Sequence, residues 1–106
     1  MAVAYTMKFE GATLEQYDRV MELMGLDQGD GSPEGAVFHW VAPTDNGIVV
    51  VDVWESDEQF NQFAEEQIGP FSAQVGIEAP PKVTRYEVHN TLVGESAAAH
   101  PGSFAR

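Results

Sequence analysis

His39 and Asp52 have the chemistry of a general base and the carboxylate that orients it. Asp52 lies inside VVVDVW, residues 49–54, a strongly strand-forming run, and Trp54 follows two positions later. A carboxylate in so apolar a strand needs a partner, because an unpaired buried charge is costly. Asn46-Gly47 just before the run is a strong hairpin signal. With Asn46 and Gly47 as the turn, Val41 faces Asp52 and His39 faces Trp54, so His39 and Asp52 are diagonal neighbours ~7–8 Å apart. A four-residue turn sets His39 directly opposite Asp52, and a three-residue turn breaks the pairing. Two of these three registers gather His39, Asp52 and Trp54. One reading of the group is a pocket with His39 as base, Asp52 as its partner and Trp54 as an aromatic wall. The plainer readings are a buried histidine–aspartate hydrogen bond, or a pairing of Asp52 with Arg85.

Other candidate residues carry less. His89 in YEVHN reads as a rim residue of the last strand, and His100 lies in the tail. The three histidines have no HxH or HExxH spacing, so no metal site is expected. Tyr5, Tyr17 and Tyr86 are within reach of a pocket, but core or rim packing is the plainer reading. Met7, Met21 and Met24 read as core filler, and Asp57, Glu58, Glu65 and Glu66 as a solvated helix face. There is no P-loop, no glycine-rich dinucleotide turn and no GxSxG. The chain has no cysteine, which excludes disulfides, thiolate catalysis and cysteine-held metals.

The elements that position these residues follow from pattern. Residues 2–9 alternate, with Val3, Tyr5, Met7 and Phe9 on one face, as a half-buried strand does. Thr13-Leu-Glu-Gln16 is a capping box, followed by Leu14, Tyr17, Val20, Met21 and Met24 at helical spacing, with Gly25 as the stop. A polar, glycine-rich loop fills 27–35. Strands are expected over 36–42 and 48–55. Ser56-Asp-Glu-Gln59 caps a second helix carrying Phe60, Phe63, Ala64 and Ile68, which Gly69-Pro70 breaks or bends; a short helical piece follows at 71–76. Pro80-Pro81 introduces a last strand at 82–90. The order strand, helix, strand, strand, helix, strand is the ferredoxin-like βαββαβ unit: an α+β fold with one antiparallel four-stranded sheet and two helices on one face. It suits one domain over 1–92, with a small-residue tail, 93–106, that is disordered or laid on a partner.

The middle strands are apolar on both faces. Phe38, Trp40, Val49, Val51 and Val53 share one, and Val37, Val41, Ile48, Val50 and Trp54 the other. Two helices cover only one face. The remainder, several hundred Å2, is more than a soluble monomer usually exposes, and its burial at ~25 cal/mol per Å2 is worth several kcal/mol. A homodimer packed sheet against sheet is therefore expected. The net charge of -12 argues against nucleic acid and anionic membrane surfaces as partners. No apolar run reaches the ~20 residues of a membrane span, and the N-terminus lacks the features of a signal peptide, so a cytoplasmic protein is expected.

VVVDVWESDEQFNQFAEEQIGP, residues 49–70, resembles the strand–W-E-S–helix segment of the dimeric α+β barrel superfamily, and is most similar to small stand-alone proteins like the antibiotic-biosynthesis monooxygenases. FHW at 38–40 and PPKVTRYEVHN at 80–90 fit the same pattern, and the resemblance spans about residues 2–92. It implies two ferredoxin-like protomers whose sheets form a barrel, with a pocket in each protomer between sheet and helices. The superfamily includes cofactor-independent oxygenases of polyketide phenols, haem-degrading oxygenases, lactone isomerases and proteins without an assigned activity. The haem-degrading branch uses a tryptophan in the second helix and a histidine beyond it. Phe63 and Ala73 stand at those positions here, against haem degradation. The resulting expectation is a homodimer that binds a small apolar or aromatic ligand. As an enzyme it would be a cofactor-independent monooxygenase or isomerase acting on an aromatic or polyketide-like metabolite, with no cofactor and no metal. His39 and Asp52 are the expected catalytic pair, and Trp54, Trp40, Phe63 and Tyr5 the pocket. The alternative is a non-catalytic ligand-binding or structural dimer.

Overall fold

A computed structural model describes residues 1–27 and 31–94. Nearly all of the expected tail, His100 included, lies outside them, as do residues 28–30 of the glycine-rich loop. The elements are β1 (Val3–Glu10), α1 (Leu14–Met24), β2 (Ala36–Thr44), β3 (Gly47–Trp54), α2 (Asp57–Phe63), a π-helical turn (Ala64–Ile68), α3 (Gly69–Gln74) and β4 (Lys82–Glu87). The strands form one antiparallel sheet in the order β2-β3-β1-β4, the ferredoxin-like arrangement.

Alternation in β1 sends Val3, Tyr5, Met7 and Phe9 to the helix side, where all four are buried. Ile48, Val50, Asp52 and Trp54 of β3 join them there, and Phe60 from α2 completes the centre of the core. Thr13 caps α1 as expected: its Oγ1 accepts from the Gln16 amide at 3.1 Å, and the Gln16 side chain accepts from the Thr13 amide at 2.9 Å. Gly25 ends the helix in the left-handed conformation, φ 76°. In the apolar stripe of α1 only Val20 is fully buried, with Tyr17 half-buried against the core.

The second helix is not broken at Gly69-Pro70. It passes through the π turn, where the Gly69 amide reaches back five residues to the Ala64 carbonyl, and continues as α3. The wider turn accommodates Pro70, which has no amide hydrogen to give a regular ladder. β4 is shorter than expected and stops at Glu87, so His89 lies beyond it, exposed.

The hairpin corrects the expected turn. The two turn residues are Asp45 and Asn46, not Asn46 and Gly47; Thr44 pairs with Gly47. That slip puts His39 directly opposite Asp52, the geometry expected of a four-residue turn, with the length of a two-residue one. Gly47 is needed for a different reason. A Cβ there would lie 2.0 Å from the Phe9 carbonyl oxygen, across the β1 ladder. Near its start β2 also holds a bulge between Ala36 and Phe38, which leaves Val37 exposed instead of in the helix-side layer.

Candidate active site

The even-numbered residues of β3 face the helices, so the strand that buries Trp54 also buries Asp52, 5% exposed and the one buried charged side chain among the described residues. Both carboxylate oxygens are engaged. Trp54 Nε1 donates to Oδ2 at 3.1 Å, and His39 Nδ1 lies 2.5 Å from Oδ1. Because a carboxylate can only accept, Nδ1 carries the hydrogen. On the other side of the ring, His39 Nε2 lies 2.5 Å from the Tyr17 hydroxyl, with the two rings 5.9 Å apart and near parallel. Tyr17 keeps its proton, since burial above all, and then the charges of Asp52 and Asp18, push its pKa well above the usual tyrosine range. Its hydroxyl therefore donates to Nε2. The result is a continuous line, Tyr17 O–H to His39 to Asp52, with Trp54 N–H closing the far end. His39 meets water most, at 37% side-chain exposure, and Tyr17 is half-buried.

This line can take a proton at one end and stabilise it. An imidazolium at His39 is held by the Asp52 carboxylate, and the Trp54 N–H fixes which way that carboxylate faces. Arg85 is not part of it. Its guanidinium grips Asp57 at the start of α2 with two bonds, 2.8 Å from Nε and 2.9 Å from Nη2, and the Tyr5 hydroxyl donates to the same carboxylate. Those bonds, Arg85's first and Tyr5's next, pull the Asp57 pKa down to about 2. Burial, helped by Asp57, pushes that of Tyr5 up to about 12.

The structure brings together His39, Asp52 and Trp54, and adds Tyr17. Tyr5 is Asp52's cross-strand neighbour on β1, but its ring stacks on Phe60 at 3.7 Å and its hydroxyl serves Asp57. Phe63 packs on Trp54, ring centroids 5.2 Å apart. These aromatics fill the core between sheet and helices and leave Trp54 no open wall. Trp40 is not with them: one residue from His39, it points through the sheet to the far side, 44% exposed. In the sequence Tyr17 reads as packing, and the usable signal is its place on the apolar stripe of α1. The Tyr5–Asp57–Arg85 group had no motif to announce it.

A cleft of about 360 Å3 opens between the end of α1, the following loop and the second helix, lined by Met24, Leu26, Pro33, Gln59, Phe63 and Gln67 among others; His39 and Asp52 do not line it. Among the described residues no three His, Asp or Glu side chains group in a way that could hold a metal ion, and no helix is long and apolar enough to cross a membrane.

No family model matches the sequence, and no curated protein matches it. Solved structures do match the fold. SnoaB, a cofactor-independent oxygenase from Streptomyces nogalater, aligns with a TM-score of 0.57 over 86% of this chain and 96% of its own, at 18% identity. A monooxygenase from the gene ActVA-Orf6 of Streptomyces coelicolor, solved with nanaomycin D, gives 0.53 over 88% and 91%, at 17% identity. A protein of unknown function from Nitrosomonas europaea gives 0.63 over 88% and 94%, at 13% identity. At such identities the likeness carries the fold and leaves the reaction open. By that likeness, the chain shares its ferredoxin-like fold with these proteins.

Proposed function

We propose that this protein is a cofactor-independent oxygenase of flat aromatic, polyketide-like substrates, with His39 as the general base. The observation that carries the reading is the unbroken hydrogen-bonded line from Tyr17 through His39 to Asp52 and Trp54. Similarity in fold to a cofactor-independent oxygenase and to a monooxygenase supports it. The substrate donates an acidic proton to the Tyr17 oxygen while Tyr17 passes its own to His39 Nε2, so the phenol is neutral before and after. Asp52 stabilises the imidazolium. The substrate carbanion gives its electrons to dioxygen, and the imidazolium returns the proton to the resulting peroxide. Loss of water then leaves a carbonyl: a ring CH2 and O2 become C=O and H2O, and no other oxidant is required.

Oxygen uptake with an anthrone tests this. Replacing His39 with alanine is expected to lower turnover by about 10²–10⁴-fold, the usual worth of a positioned general base. A variant as active as the parent rejects the assignment. A second reading, a ligand carrier without chemistry, draws on one fact: the Tyr17 phenol already occupies His39 Nε2. Calorimetry showing tight anthrone binding without oxygen consumption would favour it.

The same proposal makes the working form a homodimer joined through the sheet face that the helices leave open, where Phe38, Trp40 and Tyr86 are 40%, 44% and 55% exposed.

A further inference from the structure

The three tyrosines of the chain stand in three different settings. Tyr17 donates to His39 Nε2 at 2.5 Å, and the two ring planes differ by 12°. Tyr5 donates to Asp57, a carboxylate that Arg85 already grips twice and whose pKa is down at about 2. Tyr86 is 55% exposed and has no hydrogen-bond partner among the described residues. A phenol that loses an electron becomes a strong acid. It is therefore oxidised far more readily where a base takes its proton in the same step. Among the three, Tyr17 alone has such a base. Its partner is a neutral imidazole, whereas the bonds from Arg85 leave the Asp57 carboxylate a poor proton acceptor.

We propose that Tyr17 is a redox-active tyrosine, which gives one electron to a phenoxyl-type radical while its proton passes to His39 Nε2. The Tyr17 O–H bond breaks and an N–H bond forms. Tyr17 becomes a neutral tyrosyl radical, His39 an imidazolium, and the oxidant a phenolate. Asp52 holds the imidazolium, and the Trp54 N–H keeps that carboxylate in place. Charge favours the step. Tyr17, His39 and Asp52 together carry one negative charge before it and none after, and a buried unbalanced charge is costly. The net charge of -12 on the chain also eases the loss of an electron. Loss of the proton alone does not compete, because burial and the nearby carboxylates hold the Tyr17 pKa well above the usual tyrosine range. The inference goes beyond the oxygenase reading and does not rest on it, since it needs neither a substrate carbanion nor dioxygen.

The test is flash-quench oxidation of the full chain by tris(bipyridine)ruthenium(III), a cation that the acidic chain attracts, without oxygen or substrate. The parent is expected to give a tyrosyl radical by electron paramagnetic resonance, formed more slowly in heavy water because the proton moves with the electron. Tyr17→Phe, which leaves the His39–Asp52 bond in place, and His39→Leu, which removes the base, are each expected to lower the yield of that radical by about tenfold or more. Tyr5→Phe and Tyr86→Phe are expected to match the parent. An undiminished signal in Tyr17→Phe, an unchanged yield in His39→Leu, a signal lost in Tyr5→Phe or Tyr86→Phe, or no effect of heavy water would each overturn the proposal. Oxygen uptake with an anthrone is a separate readout, so failure of either reading leaves the other standing.

Discussion

Asp57 draws three elements into one group. Its carboxylate at the start of α2 takes two bonds from Arg85 on β4 and one from Tyr5 on β1. A carboxyl whose folded pKa is depressed, here from 3.8 to about 2, adds stability above its unfolded pKa and loses it as pH falls through the folded one. Stability is therefore expected to fall from about pH 4 to about pH 2 in the parent protein, and the fall to be shallower in Asp57→Asn. Urea midpoints measured across that window check it, and parallel curves for parent and variant reject the claim. Arg85→Met is expected to flatten the curve in the same way, because Arg85 is the larger cause. At this scale the sequence was partly legible. His39 and Asp52 were found because a carboxylate in an apolar strand must have a partner nearby in the hairpin. Tyr17 and Asp57 were not, because their partners come from elements distant in sequence. Only the seating of α1 on the sheet decides which residue of its stripe meets His39.

Among the elements, the hairpin shows how a distant contact overrides a local signal. Asn-Gly normally marks the turn itself because both residues tolerate positive φ. Here no non-glycine residue among those described has positive φ, and Gly47 is already the first residue of β3, pressed against the Phe9 carbonyl. The contact reaches across to β1 and cannot be read from the hairpin sequence. Gly47→Ala is expected to cost about 1–3 kcal/mol, the usual range for forcing extra atoms into a packed site, since the atoms in the way are backbone and cannot swing aside. Chemical denaturation measures it, and a neutral substitution would show that the strands do not approach so closely. The period-two and helical patterns did reveal which strands and helices exist and which residues share a sheet face, Val37 at the bulge excepted. Alternation also explains why Trp40 could not belong to the His39 group: neighbours along a strand point to opposite sides. Of the two outcomes open to Gly69-Pro70, a break and a bend, the break does not occur, because a π turn lets the helix continue past it.

For the whole molecule, the helices cover one side of the sheet and leave Phe38, Trp40, Val49 and Val51 on the other. Patches of that kind on a soluble chain mark an interface. If the occupant is a second copy, two forces oppose each other. Burial of the aromatic and branched side chains favours the pair in proportion to area. The net charge of -12 on each chain disfavours it, over a range set by salt: the Debye length is roughly 30 Å at 0.01 M and 8 Å at 0.15 M. Raising salt across that interval leaves the apolar term nearly unchanged and screens the repulsion. The dimer is therefore expected to tighten with salt, the reverse of an association built on ion pairs. Sedimentation equilibrium at micromolar concentration should report twice the chain mass at 0.15 M salt and a measurable single-chain fraction at 0.01 M. Trp40→Glu, which places a further negative charge on the apolar β2–β3 part of the face without touching the helix-side core, is expected to give single chains at both. A parent protein that stays single at the higher salt, or a Trp40→Glu variant that still pairs, would remove the sheet face as the interface while leaving the His39 line on the opposite side intact.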